Sequence, residues 1–184
     1  MKIRCPRCGT ENVVDQKAAA YYYNHRIHSY FNDLSGTILD LGCGGGFLSR
    51  YLMDNKRIKV IYGLDQDEAC NDQLTDMTVL SKFQFLHSDI AQLSKVFAEQ
   101  TLDFLVSRDV FMFIEDTDRY FDDVTNLVTS GIRQMGWFIS QNERMKNQLT
   151  PEQIVEEYRK RGWNVYLEPL EWYKSGYFIR ADRQ

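Results

Sequence analysis

The sequence predicts an α/β fold: a seven-stranded, mostly parallel sheet with helices on both faces and an antiparallel C-terminal strand pair. Three observations carry that prediction. Short, continuously apolar runs recur at a steady interval from residue 37 onward, as in strands covered on both faces. Segments with helical spacing fill the gaps between them. A run of glycines then joins the first apolar run to the first of those helices.

Residues 37–42, 59–65 and 83–89 read as the first three strands, and 102–107 and 136–140 as the fourth and fifth. A helix over 47–52 follows the glycines. Tyr120, Phe121, Val124, Leu127 and Val128 form an apolar stripe at helix spacing. Thr150-Pro151-Glu152-Gln153 predicts a helix start: Thr150 caps, Pro151 suits the first turn, and Gln153 reaches back as a capping box. Gly162 ends that helix in the left-handed conformation. Residues 163–168 and 177–180 read as two strands joined by a turn at Lys174-Ser175-Gly176. The composition shifts once, near Leu34-Ser35-Gly36, which separates an appendage, 1–35, from a body, 36–184.

With 184 residues, 43% hydrophobic and 14% aromatic, the chain can bury a real core, and disorder is excluded. No apolar run approaches the roughly 20 residues of a membrane helix. The start Met1-Lys2-Ile3-Arg4 turns to Cys and Pro rather than to a signal-peptide stretch, so export is not expected. Four cysteines (Cys5, Cys8, Cys43 and Cys70) are too few and too scattered for a disulfide scaffold. They read as reduced, and the expected compartment is the cytoplasm. A net charge of −4 argues against a protein that coats nucleic acid by bulk charge.

The most informative stretch runs from Ile38 to Leu48, where an apolar strand meets Gly42-Cys43-Gly44-Gly45-Gly46 and then a helix. Glycines permit positive φ and let a ligand press on bare backbone, while a helix start offers free N–H groups to an anion. The dinucleotide fingerprint fails because Phe47 stands at its third glycine position. The P-loop fails because no Gly-Lys-Ser/Thr follows.

Asp40, Gly42, Gly44 and Gly46 in Asp-Leu-Gly-Cys-Gly-Gly-Gly resemble motif I, Asp-x-Gly-x-Gly-x-Gly, of the class I S-adenosylmethionine-dependent methyltransferases. The likeness is to the small-molecule, ubiquinone-biosynthesis-like (type 11) group, and extends over about residues 37–180. It implies a Rossmann-like fold, with Asp40, Gly42, Cys43, Gly44 and Gly46 at the cofactor. Asp65, 25 residues after Asp40, stands where the family places an acid on the ribose hydroxyls. Asp89 stands where an acid accepts from the adenine amino group, flanked by Gln66 and Ile90. Ser107, Arg108 and Asp109 end the fourth strand, where the family meets the methionine part and the substrate. Taken singly, each acid reads equally as a solvated strand-end charge or a helix cap.

Cys5-Pro6-Arg7-Cys8-Gly9 looks like a zinc knuckle, which supplies half of a tetrahedral site. His25 and His28, at i and i+3 of a helix, complete a C-x2-C-x16-H-x2-H pattern; a metal-free turn, a site shared between two chains or a redox pair are the competing readings. The resemblance gives the same segment a second use as a helix over the cofactor, with Arg26 pairing with its carboxylate. The two readings compete for His25.

Methyl transfer from a sulfonium starts from an activated donor, so alignment and exclusion of water carry most of the rate. A base is needed only where the nucleophile must lose a proton early; His25, His28 and Asp109 are the candidates. No Asn/Asp-Pro-Pro-Tyr/Phe follows the fourth strand, and no Pro-Cys nucleophile is present. Only nine residues, 141–149, separate the fifth strand from the Thr150 helix, which leaves no room for an inserted substrate domain. The N-terminal segment, Phe111-Met112-Phe113-Ile114 and Trp172-Tyr173 are then left to grip a small, partly apolar acceptor; core packing and homodimer contacts are the competing use of those aromatics. Methyl transfer to an O, N or C nucleophile of a small molecule is the expected function. The rivals are an RNA methyltransferase that grips its substrate with the knuckle, and a binding module without turnover.

Overall fold

The computed structural model describes residues 2–4, 11–13, 15–97, 101–173 and 175–183. The chain divides into two compact units, Met1–Asp33 and Leu34–Gln184. In the first, β1 (Lys2–Arg4) pairs antiparallel with β2 (Glu11–Val13), and α1 (Gln16–Ser29) follows. Asp15 caps α1 by accepting from the Ala18 N–H at 2.8 Å.

The second unit alternates strand and helix: β3 (Gly36–Leu41), α2 (Phe47–Met53), β4 (Ile58–Asp65), α3 (Cys70–Gln73), α4 (Thr75–Thr78), β5 (Phe83–His87), α5 (Leu93–Val96) and β6 (Leu102–Arg108). Then come α6 (Thr117–Leu127), β7 (Val128–Trp137), α7 (Pro151–Lys160), β8 (Trp163–Leu170) and β9 (Gly176–Arg183). The strands form one sheet in the order β5-β4-β3-β6-β7-β9-β8. The pairs from β5 through β7 are parallel, whereas β9 runs antiparallel between β7 and β8. The predicted seven-stranded, helix-flanked α/β architecture is therefore the observed one.

The strands are apolar because they are covered. Ile38, Leu39 and Leu41 of β3, and Leu105 and Val106 of β6, are buried, and burial of each such side chain contributes about 1.5–3 kcal/mol. The α6 stripe packs inward through Tyr120, Phe121, Val124 and Leu127. Phe121 meets Phe111 and Tyr158 of α7, with ring centroids 5.6 and 4.9 Å apart.

Two expected boundaries are corrected. The fifth strand spans Val128–Trp137, not 136–140, and Val128 opens that strand rather than closing the helix. Its φ of −98° and ψ of 130° are extended, and no Gly or Pro separates helix from strand. The strand was hidden because Arg133 and Gln134, both buried, interrupt its apolar pattern. The Thr150 helix starts as predicted, with both halves of the capping box made, and Gly162 follows it at φ 83°.

Candidate functional site

Topology sets the place. The chain leaves β3 for β4 on one side of the sheet, and the later strand β6 joins β3 on the other. Adjacent crossovers therefore diverge at the carboxyl end of β3, the position where open α/β sheets bind ligands. The glycine run lies at that end.

Local chemistry shapes the run into a tight loop. Gly42 and Cys43 donate their N–H groups to the Leu64 carbonyl at 2.8 and 3.1 Å, tying the loop to β4. Gly42 has φ 67°, and a Cβ there would lie 2.4 Å from Val110 Cγ2, so the position demands glycine on both counts. Gly46 has φ 81° and is the residue preceding α2, where it supplies no capping side chain. Asp40 does so from a distance: its Oδ2 accepts from the Ser49 N–H at 3.0 Å and from the Ser49 hydroxyl at 2.6 Å. Its carboxyl group is buried and turned into the protein, where it supports the loop from beneath. Burial pushes its pKa from the ordinary 3.8 up to about 6, against the opposing Ser49 hydrogen bonds.

Asp65 closes β4 beside the loop. Its Oδ2 accepts from the Gly44 N–H at 2.9 Å and its Oδ1 from the Asp67 N–H at 3.0 Å. Asp89 follows β5 and caps the turn over Ile90–Gln92, accepting from the Ala91 N–H through Oδ1 at 2.8 Å. Its Oδ2 has no protein partner among the described residues. Asp65, Gln66, Asp89 and Ile90 line one cleft of about 730 Å³ together with Gly42, Arg108 and Asp109, a size suited to a bound small molecule.

Register brings the β6 end to the same place. Leu41 pairs with Ser107, so Arg108 and Asp109 emerge opposite the start of the glycine loop. Ser107 is buried. The Arg108 guanidinium lies 4.0 Å from the Phe47 ring centroid, over the first residue of α2. Asp109 adopts φ 61°, accepts from the Tyr173 hydroxyl at 2.5 Å, and is pushed above the usual carboxylate range by burial.

The remaining expected residues fall elsewhere. Cys43 is buried in the loop, and burial raises its thiol. His25, Arg26 and His28 lie together on α1, within the N-terminal unit. Cys5 and Cys8 lie outside the described residues, and among the described residues no group of three or more His, Cys, Asp or Glu gathers as for a metal ion. Phe111 and Met112, expected at the acceptor, are instead core residues; Phe113 and Ile114 line the cleft. Sequence reading missed the far wall, where Arg119 and Asp123 of α6 stand with Glu115, which precedes it, and Lys146. The only signal for it was the Asp116 cap, which accepts from the Arg119 N–H.

Comparison with known proteins agrees with this architecture. The family model described as a methyltransferase domain matches residues 39–133. No curated protein matches the chain significantly. Among solved structures, the chain is similar to one from the complex between the Haloferax volcanii Trm112 methyltransferase activator and a methyltransferase. That match has 15% identity and a TM-score of 0.72, over 90% of this chain and 92% of that one. An S-adenosylmethionine-dependent methyltransferase from Listeria monocytogenes is 16% identical over 92% of this chain and 100% of its own, with a TM-score of 0.69. Phosphoethanolamine N-methyltransferase 2 of Haemonchus contortus, in complex with S-adenosyl-L-methionine, is 14% identical with a TM-score of 0.72. It matches 89% of this chain but 52% of its own length. With more than half its residues matched by the family model, and with the glycine loop at the sheet's switch point, the chain belongs to the methyltransferase-domain family and is a class I S-adenosylmethionine-dependent methyltransferase.

Proposed function

We propose that this chain methylates a small, partly apolar molecule, and that the cleft holds the cosubstrate between the glycine loop and the ends of β4, β5 and β6. The observation that carries the reading is the continuity of that cleft. It runs from Gly42, Asp65 and Asp89 past Val110, Phe113 and Ile114 to Glu115, Arg119, Asp123 and Lys146, so one cavity joins strand-end carboxylates to an apolar stretch and a charged far wall. S-adenosylmethionine supplies a methyl group on a sulfonium, activated for in-line displacement. The chain's own part is to bind and align.

In this reading Asp65 accepts from the ribose hydroxyls, with its position fixed by the Gly44 and Asp67 N–H groups. Asp89 Oδ2 accepts from the adenine amino group, beside Gln66 and Ile90. Gly42, Gly44 and Gly46 give close backbone approach, and Arg108 holds the loop's exit through Phe47. Phe113, half-exposed within the cleft, and Ile114 form the apolar wall for the acceptor.

Isothermal titration calorimetry tests the assignment. S-adenosylmethionine and S-adenosylhomocysteine are expected to bind, and Asp65→Ala to weaken both by about tenfold or more, as for loss of hydrogen bonds to a charged group. Absence of binding by the intact chain, or an Asp65→Ala affinity equal to that of the parent, overturns it.

A further inference from the structure

The cleft does not end on its apolar stretch. Beside Phe113 and Ile114 it is lined by Arg119 and Asp123 of α6, by Glu115 ahead of that helix, and by Lys146. Backbone and amide hydrogen bonds hold this wall together. The Lys146 N–H donates to the Met112 carbonyl at 2.8 Å, and the Asn147 side chain donates to the Phe111 and Ile114 carbonyls at 2.8 and 2.9 Å. Lys146 and the turn that carries Phe113 are thereby stitched into one piece. Arg119 is fixed at its backbone, where its N–H donates to the Asp116 cap.

The charges of the wall are unequally engaged. Arg119 meets Asp123 through Nε at 3.6 Å, too long for a hydrogen bond. Its terminal nitrogens, Nη1 and Nη2, have no hydrogen-bond partner among the described residues. An open guanidinium fork matches two oxygens of a carboxylate or phosphate. Lys146 Nζ stands 3.0 Å from Glu115 Oε1, but the two side chains are 57% and 74% exposed. Such a surface pair is worth about 1 kcal/mol or less, so a better-matched anion can displace it. Arg108, the other cation of the cleft, is held instead by Phe47 and Asp109.

We propose that the acceptor carries a carboxylate or phosphate group, held by the Arg119 fork with Lys146 beside it, while its apolar body lies against Phe113 and Ile114. The inference rests on the cleft being the methyl-transfer site and adds the acceptor's charge to that reading. The anionic group is the anchor, and the atom that is methylated is another one, nearer the glycine loop. Donor chemistry favours this sign. A cationic acceptor is repelled by the sulfonium, and a protonated amine has no lone pair to take the methyl group; an anionic end meets neither obstacle. The anion displaces Glu115 from Lys146, whereas at Arg119 it adds to Asp123, which engages only Nε.

Ligand-observed NMR of the full chain, saturated with S-adenosylhomocysteine, tests this with phenylacetate, phenyl phosphate and benzylamine as probes of similar size. At least one of the two anions is expected to bind, and benzylamine is not. Binding of phenylacetate assigns a carboxylate, and binding of phenyl phosphate a phosphate. Arg119→Gln should weaken the bound anion about tenfold, and Arg119→Lys should restore only part of that loss, because a single ammonium lacks the fork. Lys146→Gln should weaken it about threefold. Calorimetry with S-adenosylhomocysteine reports separately that each variant keeps an intact cleft; should Arg119→Gln lose it, Arg119→Lys and Lys146→Gln carry the same comparison. Binding of neither anion, benzylamine binding as tightly as an anion, or an anion affinity indifferent to these substitutions overturns the proposal. Failure of the parent chain to bind S-adenosylhomocysteine overturns the reading of the cleft itself, before any probe is added.

Discussion

At Asp40, burial and hydrogen bonding act in opposite directions on one carboxyl group. Desolvation dominates and lifts its pKa to about 6, while both Ser49 donors favour the ionised form. Because the folded value lies above the unfolded 3.8, the native state binds the extra proton. Stability from this group is greatest below 3.8 and falls as pH rises through 6. The interval corresponds to about 3 kcal/mol at roughly 1.4 kcal/mol per unit. Asp40→Asn keeps an acceptor for Ser49 and removes the charge. Relative to the parent, the variant should gain about 3 kcal/mol between pH 4 and pH 7 in urea denaturation. A difference that does not change with pH would show that Asp40 pays no desolvation cost. The glycine pattern made this aspartate conspicuous in the sequence, but not its direction. Only packing shows that it faces Ser49.

Elements were legible where local chemistry alone decides them. Thr150 accepts from the Gln153 N–H at 3.3 Å, and the Gln153 side chain accepts from the Thr150 N–H at 2.9 Å. Each partner lies three residues from the other, so the signal is contained in the sequence. Thr150→Ala should cost about 1 kcal/mol in chemical denaturation, and Thr150→Ser should restore most of it. A Thr150→Ala midpoint equal to the parent's would remove the cap from the account. The start of β7 is the opposite case. Helical spacing continues through Val128 although the backbone there is already extended, because a sheet neighbour, Leu102 of β6, claims the residue. Tertiary pairing overrides local periodicity at such junctions.

Across the whole second unit, buried polar groups join elements distant in sequence. The Tyr158 hydroxyl donates to Gln134 Oε1 at 2.9 Å, and Gln134 Nε2 donates to the Tyr177 hydroxyl at 3.2 Å, linking α7, β7 and β9. Tyr120 of α6 joins through a 3.3 Å contact between hydroxyls. Beside them, buried Arg133 meets Asp182 of β9 at 2.8 Å. Gln134→Leu would strand the Tyr177 hydroxyl and leave that of Tyr158 only its contact with Tyr120, and should cost about 1–3 kcal/mol in urea unfolding. A loss below about 0.5 kcal/mol would show that the hydroxyls find other partners. Fixing β9 in this way also fixes the β8–β9 turn that carries Tyr173, so the network stands behind the Asp109 contact.

By itself the sequence determined the fold class, the glycine loop, the strand-end acids and the helix caps. Each of these is written in short-range spacing: apolar periodicity, bare backbone, or a cap three residues from its partner. The tertiary structure alone decided that Asp40 faces inward, that Phe111 and Met112 are core, and that Arg133 and Gln134 lie within a strand. It also decided that Tyr173 reaches Asp109 from 64 residues away. These outcomes depend on desolvation and on partners supplied by other elements, and no local pattern encodes which distant group will be there to satisfy a buried charge or amide.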